Sequence, residues 1–142
     1  MAHILFREAG IQTITVHLTP GDIKSATPTV IVPAPGAGNA IWGIAFYGQL
    51  KFNGTAYSGG DNSTDIYWGD ANGPSANLAV NNQLINPSSS TYWMDSFNTP
   101  AISTSLALID NIPLVLASVV PNTVGDGDIY VTIAYRIMAL HV

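Results

Sequence analysis

The hydrophobic pattern is sharpest in the run Asp128 to Leu140 (DIYVTIAYRIMAL). Ile129, Val131, Ile133, Tyr135, Ile137 and Ala139 form one apolar parity. Asp128, Tyr130, Thr132, Ala134, Arg136 and Met138 form a mixed one. A period of two with one apolar side marks a strand that buries one face, and the β-branched and aromatic content suits a pleated surface. The run is about twice the usual strand length of ~5–6 residues. The rest of the chain is therefore expected to supply a second layer that covers it.

Shorter elements precede it. Ile11 to Leu18 alternates, with Ile14, Val16 and Leu18 against Thr13, Thr15 and His17. Thr19-Pro20-Gly21-Asp22 has turn chemistry, and Ile23 to Thr27 fits a single helical turn. Thr29 to Val32 reads as a short strand. Ala40 to Phe52 reads as a second long strand, with Trp42, Ile44, Phe46, Leu50 and Phe52 on one side and Gly43 and Gly48 at bulges or close approaches. Asn53-Gly54 is a strong hairpin signal and predicts a return strand over Thr55 to Tyr57. Thr64 to Trp68 is a further strand.

Gly69 to Ser90 is rich in Asn, Ser, Gly and Pro, with Leu78, Val80, Leu84 and Ile85 as isolated anchors, and reads as a surface excursion of the kind that often serves as an interaction surface. Tyr92 to Phe97 fits either a strand or a helical turn. Ile102 to Leu108 alternates weakly, and Ile112 to Val120 is apolar on both parities, as in a strand buried on both faces. Pro121 to Gly127 is a loop. About eight short strands punctuated by Gly, Pro and Asn predict a single all-β domain over 11–142, a β-sandwich or jelly roll, preceded by an arm over 1–10.

Composition changes the picture in one respect. Only 9% of the 142 residues are charged, against roughly 25% in an average soluble protein. Interface cores are depleted in charge and enriched in aromatic residues, so part of the surface is expected to lie against other subunits. The net charge of −5 and four scattered cations argue against nucleic-acid binding, which needs clustered Lys and Arg. Cysteine is absent, which excludes disulfides and thiolate-ligated zinc. No apolar stretch predicts a membrane span or a secretory leader; synthesis in a cytoplasm is the expectation.

Candidate chemistry is sparse. His3, His17 and His141 stand in no triad setting, and Gly36-Ala37-Gly38 precedes a strand, so it is a turn and not a phosphate loop. Asp61 with Asp65, and Asp126 with Asp128, offer hard oxygen ligands for calcium, but the first pair lacks the glycine and glutamate of a calcium loop. The scattered carboxylates give no support for a hydrolase. No catalytic residue, cofactor or metal is assigned, and the chain is not expected to be an enzyme. The aromatic pairs Tyr67-Trp68 and Tyr92-Trp93, with Arg7 in the arm, are the interface candidates. Such side chains fill cores, anchor protein interfaces or stack on sugars.

Three stretches carry a resemblance: Thr27 to Gly38 (TPTVIVPAPGAG), Gly54 to Tyr57 (GTAY) and Gly125 to Arg136 (GDGDIYVTIAYR). Spanning Pro20 to Arg136, the chain resembles small β-sandwich accessory virion proteins of tailed bacteriophages, the decoration or cement proteins of capsids. The resemblance implies a jelly-roll-like module in a virion, assembled in the host cytoplasm. It implies the major capsid protein as partner and a homotrimer over junctions between capsid subunits. The shared residues are turn and strand residues, so no functional residue is carried over. The alternative is a carbohydrate-binding or structural module of a tail or fibre.

Overall fold

The computed structural model describes residues 10–61, 63–78, 80–97 and 106–141. Among these residues, seven antiparallel strands form two sheets. The four-stranded sheet has the order β1 (Gln12–Leu18), β7 (Asp128–Ala139), β3 (Asn39–Lys51), β5 (Thr91–Ser96). The three-stranded sheet has the order β2 (Thr29–Val32), β6 (Leu114–Ala117), β4 (Asp65–Trp68). One continuous core lies between them, with side chains from both sheets and from the loops. The expected all-β, two-layer single domain is what forms, with seven strands among the described residues; of the weakly alternating run Ile102 to Leu108, residues 102–105 lie outside them.

The longest run on the chain becomes the centre of the larger sheet. β7 pairs with β1 on one side and with β3 on the other. Its Ile129, Val131, Ile133 and Tyr135 are buried, as the period-two pattern requires. Leu114 to Ala117 on β6 are buried throughout, in agreement with the two-sided apolar pattern. The Tyr92 segment resolves into β5, the edge strand beside β3.

Four expectations are corrected. Strand β3 does not keep one parity. Gly43 pairs with Tyr135 and Ala45 with Ala134, so Ile44 is an extra residue, a β-bulge. The bulge reverses the alternation: Phe46 and Leu50 point inward with Ile41, while Trp42 points outward and is 47% exposed. Period-two counting across a bulge fails by one residue, and that is enough to turn a side chain over.

The Asn53-Gly54 hairpin does not form, because β7 and β5 already occupy both edges of β3. The chain instead runs beside the loop before β7. Asn53 Nδ2 donates to the Asp126 carbonyl at 2.9 Å, and Thr55 N donates to Asp126 Oδ1 at 2.9 Å.

Thr19 to Asp22 is not a simple turn either. It opens a four-residue helix, α1 (Pro20–Ile23), through a reciprocal capping box: Asp22 N donates to Thr19 Oγ1 and Thr19 N to Asp22 Oδ2. Pro20 sits where its missing N–H costs nothing, and the turn delivers Ile23 to the core.

The stretch from Gly69 to Ser90 is not a surface excursion. Trp68 N donates to the Pro74 carbonyl and Ala76 N to the Ile66 carbonyl, so the segment pairs with the free edge of β4. It then buries Ala76, Leu78, Val80, Leu84 and Ile85, the last two on a π-helical turn over Asn81–Ile85. A methyl group of Leu84 occupies the space that a Cβ would need at Gly48 of β3. Apolar residues at irregular spacing carry no period, which is why the segment reads as a loop.

Candidate interaction surface

The four predicted aromatics divide between core and surface. Trp68 is 3% exposed; its indole Nε1 donates to the Ile41 carbonyl at 3.1 Å and its ring meets Phe97 edge-on. Tyr67 points to the other side of the smaller sheet, where it packs with Val115 and Ala117 and donates its hydroxyl to the Ser63 carbonyl. Burial raises its pKa above the usual phenol value, and the neighbouring Asp65 and Asp61 add to that rise. Trp93 is half-buried, its ring tilted against Phe46. Tyr92 alone of the four stands free, at 69% exposure. Arg7 and the arm over 1–9 lie outside the described residues.

The strand registers place Tyr92 in a larger array. On the outward side of the four-stranded sheet, His17, Tyr130, Gln49 and Tyr92 lie in one row across β1, β7, β3 and β5. The next row is Thr15, Thr132, Tyr47 and Met94, and the third is Thr13, Ala134, Ala45 and Ser96. Trp42 stands further along, opposite Arg136. Met94, Tyr47 and Tyr130 are exposed. The Thr15 and Thr132 hydroxyls bond at 2.7 Å, which ties β1 to β7 within this face. No charged residue stands in the second or third row. Tyr47 and Tyr130 lie on strands the pattern located and Met94 on a segment it left open between strand and helical turn, but only the pairing of β3 with both neighbours shows that they share one face.

Polar chemistry collects at one end of the same sheet. His17 Nε2 lies 3.0 Å from Asp128 Oδ1, its ring stacked on Tyr130 at 4.6 Å between centroids. Asn53 Nδ2 donates to Asp128 Oδ2 at 3.3 Å. The hydrogen bond from His17, then that from Asn53, holds the Asp128 carboxyl below the usual carboxylate range. Beneath, Tyr57 donates its hydroxyl to the Gly127 carbonyl; burial, with help from Asp128 and Asp126, pushes its pKa up to about 12. Both Asp128 oxygens thus have protein donors, and this cluster works as a clamp on the start of β7.

The Asp61 and Asp65 side chains are likewise engaged. Asp61 accepts from Ser63 N at 3.0 Å in a local turn, and its bonds to Ser63 lower its pKa. Asp65 is buried: Oδ1 accepts from Ile66 N at 2.7 Å and Leu78 N at 3.2 Å, and Oδ2 accepts from Ser75 Oγ. Burial nevertheless raises its pKa, outweighing those bonds. Asp65 acts as the tie between β4 and the segment that covers its edge. Among the described residues, no group of three or more His, Asp or Glu side chains is placed to hold a metal ion, and no helix is long and apolar enough to cross a membrane.

No family model matches the chain, and no curated protein matches it. Among solved structures, the chain is similar to one described as a cyanophage Pam1 capsid asymmetric unit. The identity is 14% and the TM-score 0.47, over 92% of this chain and 86% of that one. At that level of similarity the match bears on neither role nor site.

Proposed function

We propose that the protein is a structural component of a tailed-phage virion, a decoration or cement protein that binds over junctions between capsid subunits. The observation that carries this reading is the outward side of the four-stranded sheet, a long face with exposed aromatics and no charge in its central rows. That face has the composition of a protein interface rather than of a solvated surface. The resemblance of Thr27 to Gly38 and Gly125 to Arg136 to accessory virion proteins supports the same reading. The work of the molecule is then burial of surface, not catalysis. Binding to the assembled shell stabilises it by mass action, and many copies on a symmetric lattice add avidity. A homotrimer over a threefold junction is the form this reading implies.

The carbohydrate-binding alternative requires an exposed Trp68 or Trp93. Trp68 is a core residue and Trp93 leans on Phe46, so that alternative is not carried forward.

The test is cosedimentation of the purified protein with empty heads of the phage that encodes it, prepared without the protein. Saturable binding at a fixed ratio to the major capsid protein, with a raised temperature of head disruption, is expected. Heads that neither bind the protein nor gain heat resistance would overturn the proposal.

A further inference from the structure

We infer that Asn53 is a site of spontaneous deamidation, and that the carboxylate it becomes releases the clamp holding the start of β7. The inference needs neither a shell nor a partner, so it stands apart from the capsid reading.

The sequence offers two candidates and the structure separates them. Asn53-Gly54 and Asn72-Gly73 are the two Asn-Gly pairs of the chain. A glycine after asparagine leaves its backbone nitrogen unhindered, so that nitrogen can close on the side-chain amide carbon before it. Both asparagines are exposed, so access does not distinguish them; the nitrogens do. Gly73 N donates to the Asp70 carbonyl at 2.9 Å, and Asn72 N donates to Asp70 Oδ1 at 2.7 Å. This turn is pressed against β4, where a Cβ at Gly73 would collide with the Trp68 carbonyl. The nucleophile there is tied and walled in. Gly54 differs on each count. Among the described residues no acceptor meets its N–H. Its φ is 129°, a conformation open to glycine. Beyond its chain neighbours, the nearest atom to an added Cβ is Asp126 Oδ2 at 3.8 Å.

Water is the one co-reactant. Gly54 N gives up its proton to solvent and bonds to Asn53 Cγ. The Cγ–Nδ2 bond breaks, and Nδ2 leaves as ammonia with a proton returned by solvent. The five-membered succinimide then takes up one water. Opening at Cγ leaves aspartate; opening at the backbone carbonyl carbon leaves isoaspartate, with an extra methylene in the main chain. Nothing is oxidised or reduced. The hydrogen bonds from Nδ2 lie in the plane of the amide, whereas attack on Cγ comes from above it, so those bonds do not shield the carbon.

The product reverses the polarity of the contact. Asn53 Nδ2 donates to the Asp126 carbonyl at 2.9 Å and to Asp128 Oδ2 at 3.3 Å. An oxygen in its place faces two acceptors and brings a third carboxylate up to Asp126 and Asp128. Asp128 keeps its bond to His17 but loses the one from Asn53. The end rung between β3 and β7, Lys51 opposite Asp128, lies at this spot, and Asp126 also holds Thr55 N. Each conversion makes the net charge of −5 one unit more negative.

The experiment ages the full chain in warm, mildly alkaline buffer, with isoelectric focusing to follow charge and fragment mass spectrometry to locate it. In the fold, Asn53 is expected to convert at least about fivefold faster than Asn72, the factor that one net hydrogen bond at Gly73 N sets. In urea the two rates should come together. Asn53→Gln, whose longer side chain closes the ring poorly, should abolish the main charge shift. Asn53→Asp, the product made directly, should melt at least about 3 °C below wild type near neutral pH. Combined with Asp128→Asn, it should cost less relative to that variant alone, because one facing carboxylate is gone. Should Asn53→Asp not fold, melting of wild type as it ages replaces it, and the loss should track conversion at Asn53. An Asn53 that stays intact in the fold, or converts no faster than Asn72, overturns the site. An Asn53→Asp variant as stable as wild type overturns the release of the clamp.

Discussion

The indole nitrogen of Trp68, on the three-stranded sheet, donates to the backbone carbonyl of Ile41, on the four-stranded sheet, across 3.1 Å. It is a polar tie between the two sheets, and the Trp68 ring also packs edge-on to Phe97. Trp68→Phe keeps much of the ring but leaves the Ile41 carbonyl without this donor. A loss of about 1–3 kcal/mol is expected, read as a lower urea midpoint at unchanged slope. An unchanged midpoint would show that the tie is incidental to packing.

Gly48 and Leu84 form the second joint, between β3 and the π-helical turn. A Cβ at Gly48 would collide with the Leu84 methyls, and Leu84 is fully buried. Gly48→Ala should therefore cost about 1–3 kcal/mol by overpacking, and Leu84→Ala about 2–5 kcal/mol by leaving a cavity. Combined, the two should cost clearly less than their sum, because the new methyl enters the space that the leucine vacates. Additive costs in chemical denaturation would mean that the two sites do not share that space.

Asp65 gives a pH-dependent test. Burial raises its folded-state pKa above the unfolded value of ~3.9, so folding favours the protonated form. Its ionisation costs nothing below the unfolded pKa and opposes folding progressively as pH rises through the folded one. Asp65→Asn, which cannot ionise, should gain stability relative to wild type between about pH 3 and pH 7. Thermal unfolding across that range decides it, and a difference that does not change with pH would refute the assignment. Asp65→Ala is a different case: it strips acceptors from Ile66 N, Leu78 N and Ser75 Oγ. It should destabilise by at least about 2 kcal/mol.

Asp128 has the opposite sign. Its carboxyl is held low by His17 and Asn53, so the stabilisation is present above the unfolded pKa of ~3.9 and is lost as pH falls through the folded value. Asp128→Asn should melt at a lower temperature than wild type near pH 6 and converge with it in strong acid. Parallel melting curves at both extremes would remove the clamp at the start of β7 from the account.

Much of this architecture was legible along the chain, for a reason visible in particular residues. Ile129, Val131, Ile133 and Tyr135 alternate over a length that only a central strand can use, and Leu114 to Ala117 are apolar on both sides because both sides are covered. Those are local consequences of which face meets water, and a linear pattern records them. The low charge content likewise pointed to buried surface before any face could be named. Tertiary structure decided the rest. Asn53-Gly54 is an excellent hairpin turn by itself, yet both edges of β3 were already taken, and pairing geometry overrode turn chemistry. Trp42 turned outward because one extra residue, Ile44, shifts the alternation, and nothing local distinguishes a bulged strand from a regular one. Leu84 and Ile85 entered the core from a segment without periodicity, because a gap at Gly48 was there to be filled. The interaction face itself is a product of register: Tyr92, Tyr47 and Tyr130 are far apart in the chain and become one surface only when β5, β3 and β7 pair.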